Sequence, residues 1–194
     1  LRASGRVTFA AFMAAALYDP AGGYYTASDP IGAAGDFYTA PSAHPAFGAL
    51  IARQMEEMWR LLDSPRIFHV VEPGAGSGRL ARDVLVHAEH LSPAFRRALR
   101  YVAVERRPPS ARPADGALSW VLGEGLPVRN VEGCILTNEV VDAFPVHGVV
   151  WAEGRLREVY VALDAEGRFV EELGEPSTPA LAERFARLGV TLRE

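Results

Sequence analysis

Glu72-Pro73-Gly74-Ala75-Gly76-Ser77-Gly78 sets a carboxylate two residues before the first of three glycines that are themselves two apart. An apolar run, FHVVE at 68–72, precedes these glycines, and a helical pattern from Gly78 to His90 follows, so they fall in a strand-to-helix turn. Glycines in such a turn let backbone come close to a ligand of the nucleotide type. A dinucleotide fingerprint would carry its third glycine at position 79, which is Arg79. A second acid, Glu105, closes the next strand pattern, LRYVAVE at 99–105. Its two oxygens suit both hydroxyls of an adenosine ribose, while Glu72 suits an ammonium. A third polar group is T-N-E-V-V-D-A-F-P-V at 137–146. Asn138 and Glu139 fall at the end of a fourth strand, and Asp142 follows three residues after Glu139. On a helical turn that spacing puts both carboxylates on one side. Helix capping is the competing role for Asn138 and Asp142.

Strands at 68–72, 99–105, 116–123 and 132–141, separated by helical or longer connections, predict a doubly wound α/β sheet with parallel pairing. All three polar groups then lie at the carboxyl edge, where open α/β sheets bind ligands. Upstream, residues 7–17 and 46–62 read as helices, the first with Thr8 as N-cap. The second has an apolar stripe of Phe47, Leu50, Ile51, Met55, Met58, Trp59 and Leu62. Residues 18–45 form a long Gly-, Pro- and Tyr-rich loop suited to covering a site. Residues 148–173 read as an antiparallel β meander, and 178–189 as a helix. The expected organisation is 1–62 as N-terminal helices and covering loop, 63–147 as a Rossmann-like core, and 148–194 as a substrate or partner region.

Bulk properties narrow the partners. Among 194 residues the net charge is −4, so nucleic acid is a poor default partner. No apolar run is long enough to span a membrane, which argues against membrane insertion. One cysteine, Cys134, permits no internal disulfide and fits a reducing cytoplasm. Every one of the 20 basic residues is arginine, which removes Schiff-base chemistry and the Walker-type lysine. His87 and His90 lack a third ligand at suitable spacing, so no metal site is expected. Cys134 reads as core packing, and Arg96, Arg97 and Arg100 as a solvated face.

E-x-G-x-G-x-G with an acid closing the next strand is the pattern of S-adenosylmethionine (SAM) methyltransferases. The flanks are more specific. F-x-x-F-M-x-x-A-L-Y-D-P-x-x-G-Y-Y, I-G-x-x-G-D-F-Y-T-A-P, F-G-x-x-I-A-R-Q-x-x-x-M-W and T-N-E-V-V-D-A-F-P-V together closely resemble the MidA family, from residue 7 to about 192. The resemblance implies a class I methyltransferase fold with SAM as cofactor. It also implies a protein substrate, since mitochondrial members are complex I assembly factors and one methylates arginine of a complex I subunit. Family members continue past this C-terminus, so the chain reads as a fragment whose sheet ends in an exposed edge. Ser42-Ala43 replaces the family's Glu-Ile, and Arg106-Arg107 its proline and serine. Within G-D-F-Y-T-A-P, Gly35 permits close backbone approach, Phe37 can cover the cofactor, and Asp36 or Thr39 can hydrogen-bond it; a packed, capped loop is the alternative. Two other classes stay open: a non-catalytic SAM-binding assembly module, and, with Arg79 against it, an NAD-dependent oxidoreductase.

Overall fold

The computed structural model describes residues 5–27, 35, 36, 38–107, 116–126 and 128–193. In chain order the elements begin with β1 (Arg6–Thr8), α1 (Phe9–Tyr18), α2 (Tyr24–Ala27), α3 (Ala40–Ala43) and α4 (Ala46–Leu61). Next come β2 (Phe68–Pro73), α5 (Arg79–Ala88), α6 (Pro93–Ala98), β3 (Leu99–Glu105), β4 (Leu118–Leu122) and β5 (Gly133–Ile135). A 3-10 turn (Val141–Ala143) leads to β6 (Val149–Ala152), β7 (Arg155–Leu163), β8 (Phe169–Gly174) and α7 (Ala180–Leu188).

The elements divide into two compact units, residues 30–142 and residues 1–29 with 143–194, whereas the sequence predicts three consecutive segments. The reason is β1, which pairs antiparallel with β7 through Arg6↔Ala162, Val7↔Val161 and Thr8↔Tyr160 and so joins the N-terminus to the later strands.

In residues 30–142 the sheet order is β4-β3-β2-β5, with every pair parallel. Phe68, Val70 and Val71 of β2 are buried, as a central strand covered on both faces requires. They share a core with Tyr101, Ala103, Leu80, Val84 and Phe95. β5 is much shorter than the expected 132–141, because the chain turns out of the sheet after Ile135 and reaches Glu139 at φ +50°. Its first residue must be glycine. A Cβ at Gly133 would lie 1.9 Å from the His69 carbonyl oxygen of β2.

α4 buries part of the predicted stripe: Met55 and Trp59 are buried, and Phe47 and Ile51 pack half-buried against the core. Gly48, Ala52, Met55, Glu56 and Trp59 are buried, whereas Leu50 is 66 % exposed and Met58 and Leu62 are also exposed. The cause is close packing on α5: a Cβ at Gly48 would meet Asp83 Cβ at 2.5 Å, so small residues set the line of contact. Glu56 tolerates burial because its Oε1 accepts the Ser92 N–H at 3.0 Å and meets Arg60 at 2.9 Å.

In the other unit, β7 carries β1 and β6 along one edge and β8 along the other, all antiparallel. Thr8 caps α1, its Oγ1 accepting the Ala11 N–H at 3.2 Å. Glu158 of β7 is fully buried; its carboxylate receives His147 Nδ1 at 2.7 Å and the Ser177 N–H. Burial alone would raise its pKa, but these hydrogen bonds prevail and hold it below the usual carboxylate range.

Candidate functional site

The carboxyl ends of β2 and β3 are tied at the glycine turn, where Gly74 and Ala75 both donate N–H groups to the Val104 carbonyl, at 2.9 and 3.3 Å. All three glycines have positive φ, +69° at Gly74, +55° at Gly76 and +72° at Gly78, but they serve different purposes. A Cβ on Gly74 would lie 2.6 Å from Val140 Cγ2, and one on Gly78 2.6 Å from the Trp120 ring. These two glycines admit neighbouring side chains. At Gly76 nothing lies within 4 Å, so this is the glycine whose backbone is open to a ligand.

Glu105 is brought to the same place. Its Oε2 accepts the Gly76 N–H at 2.8 Å across 29 residues of chain, and its Oε1 accepts the Arg106 N–H at 2.8 Å. Two backbone donors thus orient the carboxylate, and each oxygen keeps a further lone pair for a hydroxyl. Glu72 is only 4 % exposed and receives the Tyr101 hydroxyl at 2.8 Å. Burial raises its pKa to about 7; the Tyr101 hydrogen bond opposes that rise, and the nearby Glu105 charge adds to it. Burial, then the Glu72 charge, also raises the Tyr101 phenol. Burial pushes the Cys134 thiol to about 11, away from nucleophilic chemistry.

The packing of Val140 on Gly74 sets the N-E-V-V-D block beside the glycine turn. Asn138 is half-buried, and Glu139 and Asp142 are exposed. They do not share a helical face. Glu139 is left-handed and lies outside the single 3-10 turn that contains Asp142. Gly35 is half-buried and Asp36 exposed; Phe37 lies outside the described residues. Thr39 is buried and caps α3 reciprocally with Ser42, whose Oγ accepts the Thr39 N–H at 2.8 Å. That is the capping role weighed as the alternative for this loop, and it gives Ser42 a local structural task.

Tyr101, Trp120 and Val140 escape a reading of the sequence, although they hold Glu72 and two of the glycines. For Tyr101 a signal exists: a tyrosine inside an otherwise apolar central strand needs a partner for its hydroxyl. Contacts of Trp120 and Val140 have no such signal, because packing against a glycine leaves no mark on sequence spacing.

A parallel sheet with a glycine turn flanked by two acids defines a methyltransferase-type cofactor fold, and comparison with known proteins is consistent with it. Residues 50–194 match the family Methyltransf_28, described as S-adenosyl-L-methionine-dependent methyltransferase. The chain belongs to this family, the MidA type that its sequence blocks resemble. It is 29 % identical to the mitochondrial protein arginine methyltransferase NDUFAF7 homolog of Drosophila melanogaster, over 91 % of this chain and 47 % of the relative. With human mitochondrial protein arginine methyltransferase NDUFAF7 the identity is 28 %, over 94 % of this chain and 48 % of the relative. A COG1565 superfamily structure from Burkholderia thailandensis, bound to S-adenosyl-homocysteine, superposes with a TM-score of 0.76 at 28 % identity. That match covers 95 % of this chain and 50 % of the other. The chain therefore spans about half the length of the curated relatives it matches. Those relatives are named as mitochondrial, against the cytoplasmic location expected from the lone cysteine. Among the described residues, no helix is long and apolar enough to cross a membrane.

Proposed function

We propose that this chain binds SAM at the glycine turn and takes part in methyl transfer to a protein side chain, an arginine guanidinium. The observation that carries the reading is the Glu105 carboxylate seated on the Gly76 N–H at 2.8 Å, beside buried Glu72. This site supplies what SAM presents to be recognised: an acid for ribose hydroxyls, a second acid for an ammonium, and open backbone between them. Bound there, SAM supplies a methyl group already activated by its sulfonium. What remains for the protein is to align a nucleophile and exclude water. Asn138, Glu139 and Asp142 hold the guanidinium and draw its charge away from the attacking nitrogen. Gly35, Asp36 and Phe37 contribute to the cover. Thr39 acts through the cap that shapes the loop. The arginine assignment rests on the curated relatives, which are named as protein arginine methyltransferases.

Calorimetric titration with S-adenosylhomocysteine and, separately, with NADH tests the cofactor. Heat is expected with the first alone, and Glu105→Ala should weaken binding at least about tenfold, the loss of a charge-assisted pair. Heat with NADH alone, or a Glu105→Ala variant that binds as tightly as the parent, would overturn the reading. Glu139→Gln should leave cofactor affinity unchanged and abolish methyl transfer to arginine-containing peptides.

A further inference from the structure

At the opposite edge of the parallel sheet, where β3 and β4 begin, a cleft of about 310 Å³ lies between α5, α6 and the strand ends. Leu85, Ala88 and Leu99 supply apolar lining, and Glu89, Arg96, Arg97 and Arg100 supply charge. The only carboxylate among these lining residues is already engaged: Glu89 pairs with Arg96 at 2.7 Å. Arg100 Nη1 donates to the Arg97 carbonyl at 2.9 Å and the Leu99 carbonyl at 2.7 Å, which fixes its guanidinium and leaves its remaining N–H groups available. The Arg97 guanidinium makes no hydrogen bond or ion pair among the described residues. Among the described residues, two guanidinium groups without a countercharge thus share one cleft, in a chain whose net charge is −4.

Some of this has a local explanation. Arg96 and Arg97 lie in the last turn of α6, where cations favour the helix dipole, and Arg100 satisfies carbonyls there. That accounts for the presence of basic residues but not for a cleft of ligand-site size between them. Guanidinium forks match carboxylate and phosphate oxygens bidentately.

We propose that this cleft is a second ligand site, for a small multiply charged anion bearing carboxylate or phosphate groups, held by Arg97 and Arg100. The site does not depend on the cofactor reading, since its residues lie at the other end of the strands.

Calorimetric titration of the chain with citrate and, separately, with pyrophosphate at low ionic strength tests it, the two arms distinguishing carboxylate from phosphate. At least one should bind saturably at one site with Kd below about 1 mM, a modest affinity in keeping with a small polar ligand. Arg97→Gln, which breaks no side-chain hydrogen bond among the described residues, should keep the parental melting temperature and weaken that binding at least about tenfold; Arg97→Gln with Arg100→Gln should abolish it. Arg168→Gln, removing an exposed guanidinium paired with Asp164 and Glu166, should have no effect. Absence of saturable binding to either anion, or equal weakening by Arg168→Gln, would reduce the cleft to diffuse surface charge and overturn the proposal. S-adenosylhomocysteine binding measured on the same variants should stay at the parental value.

Discussion

If Glu72 faces the cofactor as proposed, its burial makes it a sensor of that ligand. With its pKa raised to about 7 by burial, it is largely protonated in mildly acid solution. A raised folded-state value means that its contribution to stability is full below the ordinary carboxylate range and is lost as pH rises through about 7. An ammonium beside it reverses the preference, because the cation favours the carboxylate. Binding of S-adenosylhomocysteine should therefore release a proton and tighten about tenfold between pH 6 and pH 8, the factor set by deprotonating a group of pKa about 7. Glu72→Gln should bind more weakly and lose this dependence, which isothermal titration in two buffers of different ionisation enthalpy would show. A wild-type affinity that does not change over this range would mean that Glu72 does not face the ammonium.

At the scale of the element, the glycine turn works through three unlike positions. Gly74→Ala and Gly78→Ala would force a methyl into Val140 and into the Trp120 ring, each starting 2.6 Å away, at a φ that alanine also resists. Each should cost about 2–4 kcal/mol, the sum of overpacking and left-handed strain. Gly76→Ala meets open space and should cost only about 1 kcal/mol from its φ, while weakening cofactor binding more than either of the others that still folds. Chemical denaturation with parallel calorimetry checks the pattern; equal stability losses at all three sites would contradict it. The sequence marks this turn plainly, since an apolar strand, three glycines and a helical pattern can hardly be read otherwise. It does not distinguish the glycine with open space beside it from the two that admit side chains, because Val140 and Trp120 arrive from segments far along the chain. α4 repeats the lesson. Its period is legible and Met55 and Trp59 are buried as expected, but Gly48 and Ala52 rather than Leu50 and Met58 complete the covered line, since the partner helix decides which face is covered.

For the molecule as a whole, the informative feature is that one compact unit is built from both ends of the chain. β1 contributes three residues that pair with β7 and lead directly into α1. Deleting residues 1–8 should remove the Thr8 cap and uncover the β7 edge from Tyr160 to Ala162, speeding amide exchange in β7 and β8 while β2 and β3 keep their protection. Unchanged exchange in β7 would show that β1 is dispensable to that sheet.

From residue types and spacing alone come the parallel core at 68–105, the acids at its strand ends, and the misplaced third glycine that argues against a dinucleotide. These are legible because each depends on neighbours in the chain: hydrophobic period, turn chemistry and the residue that ends a strand. Tertiary structure alone decides that Glu105 seats on Gly76, that Tyr101 holds Glu72, that Asn138, Glu139 and Asp142 do not share a helical face, and that Arg97 and Arg100 line a cleft. Each of those depends on pairs of groups brought together by strand order, and strand order is set by the burial of the whole sheet rather than by any one segment.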